Sequence, residues 1–489
     1  MRRAGVLMPI FSLPSEYGIG DFGRAAYKFI DFLKSGNQKV WQILPLGCTS
    51  YGDSPYQSFS TFAGNPYFID LESLVEEGIL EKRELAGLKV GKGGKIDYGK
   101  LYKTRYEILL KAFLRVELEK EEGYNEFCEE NKEWLEDFAL FMAVKRYFGG
   151  ISWLKWDIDI RNRRDVAVEW YKEILDVQVS FHKYLQYTFY KQWKKLREYA
   201  NENGVLIMGD MPIYVALDSA DVWSHKELFM LDEKGVPKEV AGCPPDCFSE
   251  LGQLWGNPIY RWDRHRETGY SWWIERIRQM FRLYNMVRID HFLGFENYYS
   301  IPYGDTDARG GQWVQGPSLE IFIAIKNALG TLDIIAEDLG IVTDNVKKLL
   351  RDTGFPGMRV LHFGIFSRED SYHLPQNYQN HCVAYTGTHD NETLYGAYKN
   401  VDKKGKKFAN SYLGIKKKED FVSSCIRCLY ASVAETVVVP MQDYLELDNT
   451  ARVNTPSTEN DNWQWRIDDN YNSGRLVNRL KRLTKTFSR

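Results

Sequence analysis

Apolar runs alternate with amphipathic stretches along most of this chain. Gly5 to Phe11 reads as a first strand, Phe22 to Lys34 as an amphipathic helix and Lys39 to Leu46 as a second strand, which together make one β-α-β unit. Much later comes a long helix near Val166 to Asn201, stopped by Gly204 and leading into the strand Val205 to Met208. From there the alternation is regular. Helix Trp272 to Tyr284 precedes strand Met286 to Ile289, helix Ser318 to Leu329 precedes strand Leu332 to Ala336, and helix Asp344 to Asp352 precedes strand Met358 to Phe363. Strand His381 to Tyr385, helix Asp420 to Ala431 and strand Thr436 to Met441 follow, bringing the strands to eight. That count predicts an α/β chain folded as a (β/α)8 barrel.

Two stretches interrupt the pattern. Residues 60–165 are charged and helical in period, and residues 213–262 are punctuated by Gly and Pro. Both read as large, mainly helical insertions at the C-terminal face of one catalytic barrel spanning residues 1–489. Beyond Gln442 a tail carries Asn454-Thr-Pro-Ser-Thr and Trp463-Gln-Trp-Arg466 and closes the barrel with a last helix.

Composition narrows the partner. With 64 Lys and Arg against 67 Asp and Glu, the net charge of −3 provides no field to gather nucleic acid or anionic lipid. The Lys-rich patches at Lys403 to Lys407 and Lys416 to Lys418 abut acids and read as a solvated loop face. Aromatic residues are abundant, with 14 Trp, 31 Tyr and 26 Phe, and most belong in the core. The remainder suit the flat, weakly polar ring of a sugar.

Arg2-Arg3 and the apolar run Ala4 to Phe11 imitate a signal peptide, but Pro9 breaks the run and no small-residue cleavage pattern follows. No stretch reaches the roughly 18 apolar residues needed to cross a bilayer. The seven cysteines are an odd number, scattered along the chain, and suit a reducing compartment. The expectation is a soluble, cytoplasmic protein. Cys243-x-x-x-Cys247 and Cys425-x-x-Cys428 could suggest zinc, but no nearby His completes a tetrahedral set.

Three of the segments end an apolar run with a carboxylate: Met286-Val-Arg-Ile-Asp290, Ile334-Ile-Ala-Glu337 and Val383-Ala-Tyr-Thr-Gly-Thr-His389-Asp390. Acids at the carboxyl ends of successive barrel strands meet at the mouth where such barrels carry out chemistry. Neighbouring strands lie roughly 4.8 Å apart, so Asp290 and Glu337 can reach the separation of about 5 to 5.5 Å that a retaining glycosidase uses. Arg288, two residues before Asp290, points to the same side and would keep that carboxylate ionised as a nucleophile. Glu337 has no adjacent cation, which leaves burial and like charge to raise its pKa and fit it as acid/base. His389 and Asp390 would grip sugar hydroxyls as the ring flattens toward the transition state. Taken singly, each acid could equally be a helix cap or an Arg partner.

Further motifs make the reading specific. The stretches Gly18-Ile-Gly-Asp-Phe-Gly23, Tyr51-Gly-Asp-Ser-Pro-Tyr-Gln-Ser58, Gly64-Asn-Pro66, Gly209-Asp-Met-Pro-Ile213, Val240-Ala-Gly-Cys-Pro-Pro-Asp246, Gly256-Asn-Pro258, Val287-Arg-Ile-Asp-His291, Ala336-Glu-Asp-Leu-Gly340 and Gly387-Thr-His-Asp-Asn-Glu392 resemble the amylomaltases. These are the 4-α-glucanotransferases, or disproportionating enzymes, of glycoside hydrolase family 77. The resemblance implies retaining transfer of an α-1,4-glucan segment through an ester on Asp290, with Glu337 as acid/base and Asp390 as transition-state stabiliser. The segment would pass to the 4-hydroxyl of glucose or a malto-oligosaccharide. It also implies Tyr56 as aromatic floor, Trp255 as stacking platform within an active-site loop at 240–256, and Asp210, Arg288, His389 and Asn454 as polar contacts. Donors would be malto-oligosaccharides and glucans derived from starch or glycogen, without nucleic acid or membrane partners. The chain departs from the family pattern at Ser457, Asp461 and the Cys243 and Cys247 pair, which bears on loop shape and acceptor preference.

Two other readings use the same residues. An amylase-type hydrolase would employ the same acids with poorer water exclusion, and a silent glycan-binding barrel would lack a carboxylate. A metal role for His291 or His389 finds no tight ligand motif, so no metal or cofactor is expected and EDTA should leave activity unchanged. Sequence leaves open whether the molecule is a monomer or a homodimer.

Overall fold

Short runs of Val, Ile and Met, buried on both faces, form strands that pair in parallel and close on themselves. The computed structural model describes every residue except 1, 51, 92, 246–248, 417–419 and 459. Tyr51, Asp246, Cys247, Lys417 and Lys418, all within the motifs and patches above, therefore lie outside the described residues. In chain order the strands are β1 (Arg3–Leu7), β2 (Val40–Gln42), β3 (Leu206–Pro212), β4 (Glu239–Cys243), β5 (Gln253–Pro258), β6 (Met286–Asp290), β7 (Asn297–Pro302), β8 (Gln312–Gln315), β9 (Ile334–Ala336), β10 (Gly357–Val360), β11 (Cys382–Tyr385) and β12 (Thr436–Pro440). Eight of these make a closed barrel in the order β1-β2-β3-β6-β9-β10-β11-β12, with β1 pairing β12 to shut the ring. Helices separate most of these strands, so the chain is a (β/α)8 barrel.

The barrel interior is filled by Val40, Met208, Met286, Ile335, Met358 and Val438, among others. A larger apolar layer joins the outside of the strands to the helices. Residues 71–161 fold into a run of helices, from Leu71–Glu76 to Ile158–Arg161. Buried Arg105 ties them to the barrel loops by donating to the carbonyls of Ile69 at 3.2 Å and Tyr17 at 3.4 Å. Asp21, enclosed beside it, has its carboxyl pushed up to about 7 by burial and then by the charge of Asp70.

Strand and helix ends differ from the sequence reading for local reasons. The first strand stops at Leu7, because Pro9 has no amide hydrogen and the chain turns into a 3-10 segment at Ile10–Ser12. The second strand covers only Val40–Gln42, although Ile43, Leu44 and Leu46 stay buried and prolong the apolar signal. The long helix is two, Asp165–Ile174 and Asp176–Glu202, broken at Leu175 with φ −112° and ψ 19°. The sixth barrel strand ends at Val360, whose amide donates to His373 Nδ1 at 3.1 Å before a short helix at Leu361–Ile365.

The largest difference lies in residues 213–262. Read from sequence as a Gly- and Pro-punctuated, mainly helical insertion, they contain β4 and β5, which join β7 and β8 in an antiparallel sheet of order β5-β4-β7-β8. Its strands are hard to see because Gly242 and Gly256 interrupt the alternation and the register shifts between Val240 and Gly242. Among the described residues no helix is long and apolar enough to cross a membrane.

Candidate active site

Strand register puts the charged residues side by side. In the pairing of β3 with β6, Asp210 lies opposite Arg288 and Pro212 opposite Asp290. In the pairing of β6 with β9, Ile289 lies opposite Ala336, so the next rung sets Asp290 beside Glu337. The rung is held by backbone bonds, Glu337 N to Ile289 O at 3.1 Å and Phe292 N to Glu337 O at 3.1 Å. Sequence placed these two acids at the ends of adjacent strands, and their strands are adjacent.

Arg288 is shared between two acids. Its Nη1 contacts both oxygens of Asp210 at 2.6 Å, and its Nη2 donates to Asp290 Oδ1 at 2.8 Å. Arg288 and Asp210 are shut away from solvent, with side-chain exposures of 4% and 0%, whereas Asp290 keeps 30%. Tyr56 Oη completes the chain by donating to Asp210 Oδ2 at 2.8 Å. Asp210, which the resemblance assigns to the donor sugar, is thus enclosed and occupied by Arg288 and Tyr56. A carboxylate directly opposite the guanidinium in strand register is the partner nearest to hand.

Glu337 occupies a different environment. Oε2 accepts from the His291 amide and Oε1 from the Leu339 amide, both at 2.7 Å. These bonds fix the carboxyl plane and favour its charged form. Burial opposes them more strongly, and the charge of Asp290 adds to it, so the Glu337 pKa rises to about 8. Asp338 points elsewhere, accepting from the Met358 amide at 2.6 Å and pairing with Arg359 at 3.0 Å.

Asp390 sits in the loop after β11, with 39% of its side chain exposed. Asn454 Nδ2 donates to its Oδ1 at 2.6 Å, Arg452 donates to its carbonyl at 2.6 Å, and His389 Nε2 lies 3.3 Å from its Oδ2. The Tyr56 ring stacks on the His389 imidazole, with centroids 5.1 Å apart and an interplanar angle of 17°. Trp255 meets His291 edge to face at 4.8 Å. The structure therefore joins Asp210, Arg288, Asp290, Glu337, Tyr56, His389, Asp390 and Asn454 into linked contacts. Trp255 joins the group through His291.

Three neighbours were not singled out from sequence, and a fourth, His291, was weighed only as a metal ligand. Trp463, read only as part of a closing tail, packs at 5.7 Å from Tyr56 and 5.9 Å from His389. Its φ of 63° puts a bulky residue in the left-handed region. Gln57 and Asn257 bond to each other, and both lie inside quoted motifs, so the motifs were the available signal. His291 follows Asp290 directly. It adopts φ 53°, burial lowers its pKa to about 4, and its Nε2 has no hydrogen-bond partner among the described residues. His389 Nδ1 is likewise buried without one. No group of three or more His, Cys, Asp or Glu able to hold a metal occurs among the described residues.

Fold and site together define a carboxylate-based, sugar-processing barrel enzyme. The chain belongs to the 4-alpha-glucanotransferase family, glycoside hydrolase family 77, whose model matches residues 8–471. It is 47% identical over 485 residues to a 4-alpha-glucanotransferase of Clostridium butyricum, covering 99% of this chain and 100% of that one. It is 44% identical over 477 residues to a 4-alpha-glucanotransferase of Thermus thermophilus, covering 95% of each. Among solved structures, an amylomaltase from Streptococcus agalactiae in complex with acarbose superposes with a TM-score of 0.97 at 43% identity, over 100% of both chains.

Proposed function

We propose that this protein is a retaining 4-α-glucanotransferase acting on α-1,4-glucans. The observation that carries the reading is the rung at which Asp290 and Glu337 stand beside each other, one paired with a guanidinium and one buried and raised in pKa. Residues on adjacent strands stand roughly 4.8 Å apart, in keeping with the carboxyl separation of about 5 to 5.5 Å of retaining catalysis.

In the first step an Asp290 oxygen attacks the anomeric carbon and forms an ester bond. The bond from that carbon to the 4-oxygen of the leaving sugar breaks, and Glu337 gives its proton to that oxygen. Arg288 holds Asp290 in place for the attack. Esterification removes the Asp290 charge, which is one of the two causes that raise the Glu337 pKa. The carboxylate left behind is then stabilised and suited to act as base. It takes the proton of an incoming 4-hydroxyl while that oxygen bonds the anomeric carbon and the ester breaks. In this reading His389, Asp390 and Asn454, which contact one another, border the sugar.

Donors are malto-oligosaccharides and starch- or glycogen-derived glucans, and glucose serves as an acceptor. The 43%-identical amylomaltase was crystallised with acarbose, which supports a glucan-shaped cleft. Transfer needs an oriented acceptor and exclusion of water, and positioning of this kind is worth about 7 to 11 kcal/mol. The thiols Cys48, Cys128, Cys382, Cys425 and Cys428 are free, which supports a cytoplasmic location.

The test is the product pattern from maltotriose. A ladder of longer oligomers is expected, and glucose and maltose alone would leave only the hydrolase reading. With Asp290→Asn, turnover should vanish, and retained turnover would overturn the nucleophile assignment.

A further inference from the structure

We infer that the paired amides of Gln57 and Asn257 are positioning residues that hold the two walls of the cleft together and thereby set the share of transfer over hydrolysis, an inference that rests on the transferase reading above. Gln57 Nε2 donates to Asn257 Oδ1 at 3.1 Å and to the Trp255 carbonyl at 3.5 Å. Asn257 Nδ2 donates to Gln57 Oε1 at 3.5 Å and to the Val215 carbonyl at 2.8 Å. A carbonyl can only accept, so the Val215 bond fixes which way the Asn257 amide faces. With Asn257 fixed, Gln57 can satisfy both groups in one orientation only. Asn257 is buried, with 5% exposure, so the pairing forms in a shielded setting where a lost partner is costly.

The pair joins residues 200 positions apart in sequence. Gln57 is next to Tyr56, whose hydroxyl bonds Asp210 and whose ring stacks on His389. Asn257 belongs to β5, two residues beyond Trp255, which stands against His291 beside the nucleophile. Between the two attachment points of Gln57 lies Gly256, at φ 76° and with open space where a side chain would be. The partner strand shifts register at Val240 to Gly242, so β5 is held irregularly by its own sheet at this point. The amide pair therefore bridges an irregular joint of the wall that carries Trp255. Without it, that wall can lean away from Tyr56 and admit water.

The chemistry that senses this is the fate of the ester. When a sugar 4-hydroxyl attacks, its proton passes to Glu337, the new glycosidic bond forms and the Asp290 ester breaks. When water attacks, the same bonds exchange and free sugar results. Both share one intermediate, so their ratio reports water exclusion rather than the competence of the acids.

The experiment compares wild type with Gln57→Met, which keeps length and removes the amide, and Gln57→Glu, which keeps shape and removes the donor. Each is incubated with maltotriose. Reducing ends released by hydrolysis are measured against longer oligomers formed, together with the glucose concentration that half-saturates transfer and the unfolding temperature. Both variants should raise the hydrolysed share about tenfold, the fold-change carried by two neutral hydrogen bonds, and weaken glucose as acceptor. A purely structural role would instead lower unfolding temperature and both activities in step at an unchanged ratio, which overturns the inference. So does an unchanged ratio at unchanged stability. A wild type that makes no longer oligomers sinks the transferase reading itself, whereas a wild type that makes them with the same partition in both variants sinks only the role of the pair.

Discussion

Replacing Glu337 by Gln tests the acid/base role and the electrostatics together. Both Glu337 oxygens accept backbone amides at 2.7 Å, from His291 and from Leu339. A carboxamide can accept only one of them and must turn its NH2 toward the other N–H. The lost bond to a buried donor costs about 1 to 3 kcal/mol of stability at low pH. As pH rises the comparison shifts. The Glu337 pKa of about 8 in the fold exceeds its ordinary value, so wild type loses stability as pH climbs from the ordinary carboxylate range through 8, and the variant does not. Catalytically, loss of a general acid is worth about 10² to 10⁴ in rate, or about 3 to 5 kcal/mol. That loss should fall on maltotriose, whose leaving sugar needs a proton. It should largely spare the first step with α-maltosyl fluoride, whose fluoride departs without one. Initial rates on both donors across pH, with thermal unfolding alongside, give the result. Wild-type kcat/KM on maltotriose should decline above about pH 8, as Glu337 gives up its proton. Equal losses on both donors, or a decline near pH 8 that persists in Glu337→Gln, would refute the assignment.

Other outcomes follow from particular contacts. Asp210→Ala leaves a buried guanidinium without its main partner and should destabilise the protein by about 3 to 5 kcal/mol, read by denaturant unfolding. A loss below about 1 kcal/mol would mean that the pair is solvated. Asn454→Ala removes a 2.6 Å bond to the Asp390 carboxylate. A hydrogen bond to a charged group is worth about 1.5 to 3 kcal/mol, so kcat should drop about 10- to 100-fold, and an unchanged kcat would place Asn454 outside the transition state. Asp21→Asn removes a buried carboxyl whose pKa is raised to about 7. Wild type should lose stability from about pH 4 to pH 7, by up to about 4 kcal/mol, while the variant stays flat over that window. Parallel pH curves would contradict the burial argument.

The eight barrel strands were legible because each is an apolar run buried on both faces. Their lengths were not, since Ile43, Leu44 and Leu46 remain buried after β2 has ended. Asp290 and Glu337 could be paired in advance because consecutive strands of a β/α barrel lie side by side and each acid directly follows its apolar run. The enclosure of Asp210 could not be foreseen, because it depends on which side of Arg288 faces β3. The sheet of β4, β5, β7 and β8 stayed hidden because β4 meets β7 only across a long stretch of chain that includes barrel strand β6, and because Gly242 and Gly256 erase the alternation in β4 and β5. Trp463 was invisible as a site residue for a similar reason. Its place beside Tyr56 comes from a tail folding back over the barrel mouth, and no local periodicity records that.

One guanidinium divided between Asp210 and Asp290 makes the cleft hard to redesign piecemeal. Altering Tyr56 disturbs Asp210, and through Arg288 the disturbance reaches Asp290, the nucleophile proposed above. A change of sugar specificity attempted at Tyr56 would therefore need a compensating change at Asp210 to leave Asp290 undisturbed.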